Sequence, residues 1–300
     1  MNTVREKGYA KVNLFLDVFE KNGEFHDIDS VVCSVNIYDE VIVTDRKDDK
    51  IVVRTPYGLY GTKKEENLSN AYRSAKLFKE TFSTPGVTVT VKRNIPAGGG
   101  LGGSSADISA TLNAMKKLFS VSSDLTELSA KLGSDAPYML TGGFARLTGR
   151  GTKVTPLDRL NDVKLHLLIA TPYFGVGAKE CYDEFDVSPS LPKDKGAEKL
   201  IENLSEGIIK KEDFYNALYA PAVRINDEIS RVYGLIDGLS PSVTFMTGSG
   251  SSVCALFETE ELCLWAKDKL KREKLNVAVT ESLTAKEIDK PPFLKNPFVL

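Results

Sequence analysis

Apolar residues alternate with polar ones over 8–19, 28–37, 40–44 and 51–54, and this period of two predicts strands. The spacing then changes. Over 67–79, Leu68, Ala71, Ala75 and Phe78 fall on one face of a helix. A strict alternation returns at 87–92, followed by helical patterns over 107–119 and 124–132. The paired glycines Gly142-Gly143, between apolar 139–141 and 144–147, predict a hairpin. Strands grouped before and after helices, without strict alternation, argue for an α+β fold.

A polar stretch at 157–162 precedes a fresh apolar strand at 163–170, which sets a domain boundary near residue 160. The expected division is 1–160 and 161–300. The second part reads as a polar segment (189–195), helices at 196–205 and 211–237, strands at 243–246 and 253–257, a helix at 260–271 and a strand at 276–280. The proline-broken tail, 290–300, reads as extended chain.

Between the 87–92 strand and the following helix lies Pro96-Ala-Gly-Gly-Gly-Leu-Gly-Gly-Ser-Ser-Ala-Asp107. Glycines let a backbone turn sharply and approach a ligand closely. A helix opening just after them presents N–H groups and a positive dipole end, which suits phosphate. The segment therefore reads as a nucleotide phosphate cradle. No Lys-Ser/Thr pair follows the glycines, so it is not a Walker A loop. Gly98, Gly100 and Gly103 fit the dinucleotide spacing, but Arg93-Asn-Ile-Pro96 intervenes and a second helical pattern follows. The two serines either cap the helix or serve as ligands.

Composition narrows the partners. A net charge of −2 and the lack of a basic stripe argue against nucleic acid, and no apolar run is long enough to span a membrane. The first residues carry no signal-peptide core, and Cys33, Cys181, Cys254 and Cys263 are scattered, so a reducing cytoplasm is expected. With His26 and His166 as the sole histidines, most His-rich metal sites are ruled out, and the count argues against a Ser-His-Asp triad. Lys11 and Asn13 share one face of an apolar strand, so that face leads to a polar cleft unless Lys11 merely snorkels from an edge. His166 reads as a packed structural residue.

Three separated motifs, Ala10-Lys-Val-Asn-Leu14, the 96–107 loop and Met246-Thr-Gly-Ser-Gly-Ser-Ser252, together resemble the GHMP kinases, which phosphorylate small molecules with ATP. Gly133-Ser-Asp-Ala-Pro137 and Gly149-Arg-Gly-Thr152 extend the likeness over nearly the whole chain. The resemblance implies a two-domain GHMP kinase fold. Its N-terminal domain would be like the second domain of a small-subunit ribosomal protein, and its C-terminal domain a ferredoxin-like α+β unit.

It also implies roles. ATP would lie on Pro96, Ala97, Gly98, Gly99, Gly100, Leu101, Gly102, Gly103, Ser104, Ser105 and Ala106, with Asn67 on the adenine side. Mg²⁺ would take a hydroxyl from Ser104 or Ser105. Asp135 would be the catalytic carboxylate, paired with Lys11. Asn13, Phe25, His26, Tyr182, Gly248 and Ser249 would hold a small-molecule substrate linked to cytidine diphosphate, with aromatic rings sandwiching the base. The second glycine turn would pack on the phosphate loop. A monomer or weak homodimer is expected. Kinases of homoserine, mevalonate or a sugar, or a non-catalytic nucleotide-binding protein on this fold, are the alternatives.

Overall fold

Alternation carries the chain through two long strands before anything helical forms. The computed structural model describes residues 1–55 and 69–289. Strand β1 (Thr3–Asn22) turns at Gly23 into β2 (Phe25–Asp45). Where the sequence predicts two strands, 28–37 and 40–44, β2 is continuous, because Tyr38 and Asp39 keep the extended strand conformation. The chain divides into two compact units: 1–10, 38–95 and 102–141 form the first; 11–37, 96–101 and 142–300 form the second.

In the first unit, β3 (Ile51–Arg54), α1 (Asn70–Phe82) and β4 (Val87–Lys92) follow. Strand β4 lies between β2, antiparallel from Glu40↔Lys92 to Asp45↔Val87, and β3, parallel from Ile51↔Val87 to Arg54↔Thr90. Helix α1 starts three residues later than its apolar spacing suggests. Ser69 caps it, its Oγ accepting from the Tyr72 amide at 3.2 Å. Ala71, Ala75 and Phe78 are buried as their spacing requires. Leu68 lies outside the described residues, as does Asn67.

Helix α2 (Gly103–Leu118) begins four residues earlier than expected, taking in the last glycine and both serines. Two short helices close the unit, α3 (Thr126–Ala130) and α4 (Ala136–Met139). Here the hairpin expectation fails. Residues 136–139 are helical, since Pro137 suits a first helical turn. Gly142 and Gly143 take positive φ and lead directly into the next strand. A core of Val41, Val43, Val89, Phe78, Leu112 and Met115 joins strands and helices.

The second unit holds β5 (Phe144–Gly149), paired with β2 from Ile28↔Gly149 to Cys33↔Phe144, and β6 (Lys153–Pro156). Next come β7 (His166–Pro172), α5 (Ala178–Val187), α6 (Gly196–Ser205), β8 (Tyr215–Asn216), α7 (Tyr219–Ile225), α8 (Glu228–Asp237), β9 (Val243–Met246), β10 (Val253–Phe257), α9 (Glu260–Lys269), β11 (Leu275–Leu283) and α10 (Ala285–Asp289). Strands β9, β10, β7 and β11 form an antiparallel sheet in that order. Its apolar face packs on Cys181, Phe185, Ala222, Ile229, Val232 and Ala266 of the helices. His166 is half-buried at the start of β7.

The single helix expected over 211–237 does not form. Tyr215 and Asn216 pair in parallel with Phe15 and Leu16 of β1 instead. Two helices follow, and the Asn226 side chain accepts from the Glu228 amide at their junction. Among the described residues no helix is long and apolar enough to cross a membrane. The tail expectation, 290–300, falls outside them.

Candidate active site

The glycine loop is built from alternating left-handed residues: φ is +67° at Gly98, +71° at Gly100 and +75° at Gly102. In that region a Cβ meets its own carbonyl, so glycine is the residue that fits. Lack of side chains also lets three backbone segments of the second unit interlock. A Cβ on Gly98 would stand 2.9 Å from the Gly175 Cα, and one on Gly100 would stand 2.3 Å from the Thr247 carbonyl oxygen. The Ser251 and Ser252 amides donate to the Gly98 and Gly99 carbonyls at 3.1 and 3.2 Å. The second glycine turn thus packs on the first, as the motif resemblance implies.

Sequence reasoning missed how that second turn is held. Asn216 Nδ2 donates to the Met246 and Gly248 carbonyls at 2.8 and 2.9 Å, and its Oδ1 accepts from the Leu218 amide at 2.9 Å. Gly248 is buried within this clasp and Ser249 is half-buried beside it. No spacing in the chain signals a pairing of residue 216 with 246–248. Gly175, a lone glycine, gave no signal either.

Lys11 and Asn13 do share a face of β1, and both are buried, so the reading of Lys11 as an edge lysine reaching to water fails. Lys11 Nζ donates to Asn13 Oδ1 at 2.5 Å, and its amide donates to the Leu101 carbonyl at 3.0 Å. Asn13 Nδ2 donates to Ser30 Oγ at 2.8 Å, whose hydroxyl donates to the Phe15 carbonyl at 2.6 Å. The Asn13 amide donates to Thr247 Oγ1 at 2.8 Å. A buried ammonium is costly without such partners, and this chain of polar groups fixes its position against the glycine loop.

Within the first unit, α2 is capped by Gly102 with no side-chain capping bond, so the serines do not cap it. Ser104 and Ser105 occupy its first turn, Ser104 exposed and Ser105 half-buried. Asn70 Nδ2 donates to the Ser104 carbonyl at 3.4 Å. A Cβ built on Gly133 would lie 3.2 Å from Ser105 Oγ. The Ser105 hydroxyl therefore sits against the Gly133-Ser134-Asp135 turn. Asp135 is half-buried, and its carbonyl accepts the Met139 amide at 3.0 Å. Pro96, Ala97 and Ala106 frame the glycines, Ala106 buried in α2.

His26 is buried and stacks on Tyr182, with centroids 5.2 Å apart and planes inclined 27°. Phe185 meets its edge at 5.8 Å. Its Nε2 faces Asp186 Oδ1 at 2.7 Å. Asp186 also binds the Lys21 ammonium, the main cause that holds its carboxyl below the usual carboxylate range, with His26 adding to it. Phe25 stands apart from that pair, 49% exposed, with the Arg150 guanidinium 5.3 Å from its ring centre. Asp186 and Phe185 were missed in sequence. The signal was present, since α5 places 182 and 186 on one face and 181 and 185 on the buried one.

Residues 69–143 match the family model described as GHMP kinases N terminal domain. A protein of Caldicellulosiruptor saccharolyticus named 4-diphosphocytidyl-2-C-methyl-D-erythritol kinase is 34% identical over 272 residues, covering 88% of this chain and 92% of its own. One of the same name from Clostridium beijerinckii is 32% identical, covering 92% and 99%. A crystal structure of 4-(cytidine 5'-diphospho)-2C-methyl-D-erythritol kinase superposes with a TM-score of 0.77 at 27% identity, covering 93% and 99%. Homoserine kinase from Cytophaga hutchinsonii shares the fold alone, with a TM-score of 0.71 at 16% identity.

Proposed function

The chain belongs to the GHMP kinases, and from that membership we propose that it transfers the terminal phosphoryl group of ATP to the 2-hydroxyl of 4-diphosphocytidyl-2-C-methyl-D-erythritol. The observation that carries this reading is its end-to-end likeness, above 30% identity, to relatives named for that activity. The interlocked glycine loops and the ring cluster around His26 support it.

In this reading the loop amides from Gly98 to Ala106 bind the phosphates, and little covalent work remains for the protein. Asp135 takes the proton of the attacking hydroxyl as its oxygen bonds to the γ-phosphorus and the bond to the β-phosphate bridge breaks, releasing ADP. The Lys11 ammonium, oriented by Asn13, stabilises charge gathering on the attacking and transferred oxygens. His26, Tyr182 and Phe25 bind the cytosine ring, which gains about 1–3 kcal/mol per stacked base.

Mg²⁺ fits this donor set in a limited way. Among the described residues no group of three or more His, Cys, Asp or Glu could hold a metal. Hydroxyl and carboxylate oxygens of Ser104, Ser105 and Asp135 suit a hard cation held mainly by nucleotide phosphates. Bound there, it would supply positive charge against those phosphates. The four buried free thiols accord with a reducing cytoplasm.

The test is incubation of the purified protein with ATP, Mg²⁺ and the cytidyl substrate, following ADP release and the phosphorylated product. Thermal protection by CMP and CDP, beside that by ATP, is the expected companion result. Turnover with homoserine, mevalonate or a sugar, and no protection by cytidine nucleotides, would assign the chain to another branch of the family.

A further inference from the structure

His26 has two ring nitrogens, and the fold spends one of them. Its side chain is only 5% exposed. Nε2 lies 2.7 Å from Asp186 Oδ1, and among the described residues Nδ1 makes no hydrogen bond. Tyr182 covers one face of the ring and Phe185 meets it edge-on, so the ring is held against turning over and exchanging the two nitrogens. Nδ1 is therefore the atom left to recognise a ligand. Such a buried nitrogen gains most from a partner that supplies the missing half of a hydrogen bond.

What Nδ1 can offer depends on where the ring carries its proton. Asp186 decides that. Its Oδ2 accepts from the Lys21 ammonium, and this bond, with His26 adding to it, holds the carboxyl below the usual carboxylate range. An ionised carboxylate only accepts, so the hydrogen between Oδ1 and the ring belongs to Nε2. In the neutral ring Nδ1 then carries a lone pair and accepts in its turn. Three segments build this arrangement. Lys21 ends β1, His26 follows the Gly23 turn, and Asp186 lies one turn beyond Tyr182 in α5. The stacking ring of Tyr182 and the anchoring carboxylate thus share one helix face.

We propose that Asp186, braced by Lys21, is a positioning residue that locks His26 as the Nε2–H tautomer and so makes the base pocket select cytosine over uracil. This rests on the reading that the ring cluster around His26 binds the cytidyl base. Cytosine presents an exocyclic amine where uracil presents a carbonyl oxygen. A bare Nδ1 accepts from the amine, but against the carbonyl it sets lone pair on lone pair. The opposite tautomer would donate from Nδ1 and reverse the choice.

Two measurements on the full chain test it. The first is a nitrogen–proton correlation spectrum of the imidazole. His26 and His166 are the sole histidines, so His166→Gln leaves one ring to read. Once pH is high enough to leave that ring neutral, the proton should sit on Nε2; a proton on Nδ1 overturns the lock. The second is the pair of dissociation constants for CMP and UMP by calorimetry. The wild type should favour CMP by at least about tenfold. In Asp186→Asn the amide oxygen is drawn to Lys21, which only donates, so the NH₂ faces Nε2 and drives the ring proton to Nδ1. The preference for CMP should fall to about twofold or less. Adding Lys21→Met frees the amide to turn its oxygen to the ring, and the preference should recover to at least about fivefold. A merely structural role for Asp186 gives no such recovery. Wild-type preference in Asp186→Asn, or a double variant no more selective than the single one, overturns the proposal. Failure of folded wild type to bind either nucleotide overturns the cytidyl reading instead, and the specificity role with it. Should Asp186→Asn not fold, the wild-type spectrum and affinities decide, and equal affinity for CMP and UMP sinks the proposal.

Discussion

Replacing Gly100 by Ala tests whether the interlocking of the two glycine turns fixes the phosphate loop. Two costs combine. At φ +71° an alanine costs about 1–2 kcal/mol that glycine does not. The new Cβ would also stand 2.3 Å from the Thr247 carbonyl oxygen, 3.0 Å from that of Gly250 and 3.1 Å from the Gly250 amide nitrogen. All three are main-chain atoms. The Thr247 amide donates to the Ser252 carbonyl and the Gly250 amide to the Thr247 carbonyl, so the turn cannot yield singly. Forcing such overlap costs about 1–3 kcal/mol, and the sum is about 2–5 kcal/mol. Gly23→Ala is the control, because Gly23 has φ +72° but nothing within 4 Å of its Cβ position. It should lose only the conformational part, about 1–2 kcal/mol. Denaturant midpoints at fixed m give the difference, and the KM for ATP should rise roughly tenfold in Gly100→Ala alone. If the two variants agree within about 0.5 kcal/mol and share one KM, the turns do not constrain each other.

Further outcomes follow from the same geometry. Asp135→Asn should lower kcat by about 10²–10⁴ while ATP affinity, read by calorimetry, stays within about twofold; near-normal turnover would remove Asp135 from the chemistry. Asn216→Ala strips a buried donor from two carbonyls and should cost about 2–3 kcal/mol in denaturant, with the loss carried over to ATP binding. Asp107 makes a pH prediction whose sign is fixed. Its carboxyl sits near 4 unfolded and is raised to about 8 in the fold, so its contribution is whole below pH 4 and drains away as pH rises towards 8. The slope is about 1.4 kcal/mol per pH unit for one such group, checked by denaturation at pH 6 and 8. Asp186→Ala frees the His26 ring edge, and protection by CMP in a thermal scan should shrink while protection by ATP holds; equal loss of both would argue against a separate base-binding role.

Much of this molecule is legible in one dimension because its determinants are local. Period-two alternation makes β1, β2 and β4, and Ala71, Ala75 and Phe78 give α1 a buried face whatever lies against it. The glycine loop announces itself because left-handed φ values demand that residue type. Lys11 and Asn13 fall on one face through the pleat alone. Errors arose where a local preference met a distant partner. Residues 211–237 read as one helix, but β1 recruits Tyr215 and Asn216 as a strand. Gly142-Gly143 read as a hairpin turn, but the Gly143 amide is spent on Ser34 Oγ at 3.1 Å.

Tertiary structure alone decided the rest. Asn216 clasps a turn some thirty positions away, Asp186 finds His26 across 160 residues, and Asp39 meets the chain at Asn94 and Ile95. A sequence records which groups need a partner once they leave water, because burial of an amide, an imidazole or a carboxylate is penalised for any chain. It does not record which partner arrives, since that is settled by the packing of sheets and helices that bring remote segments within hydrogen-bonding distance.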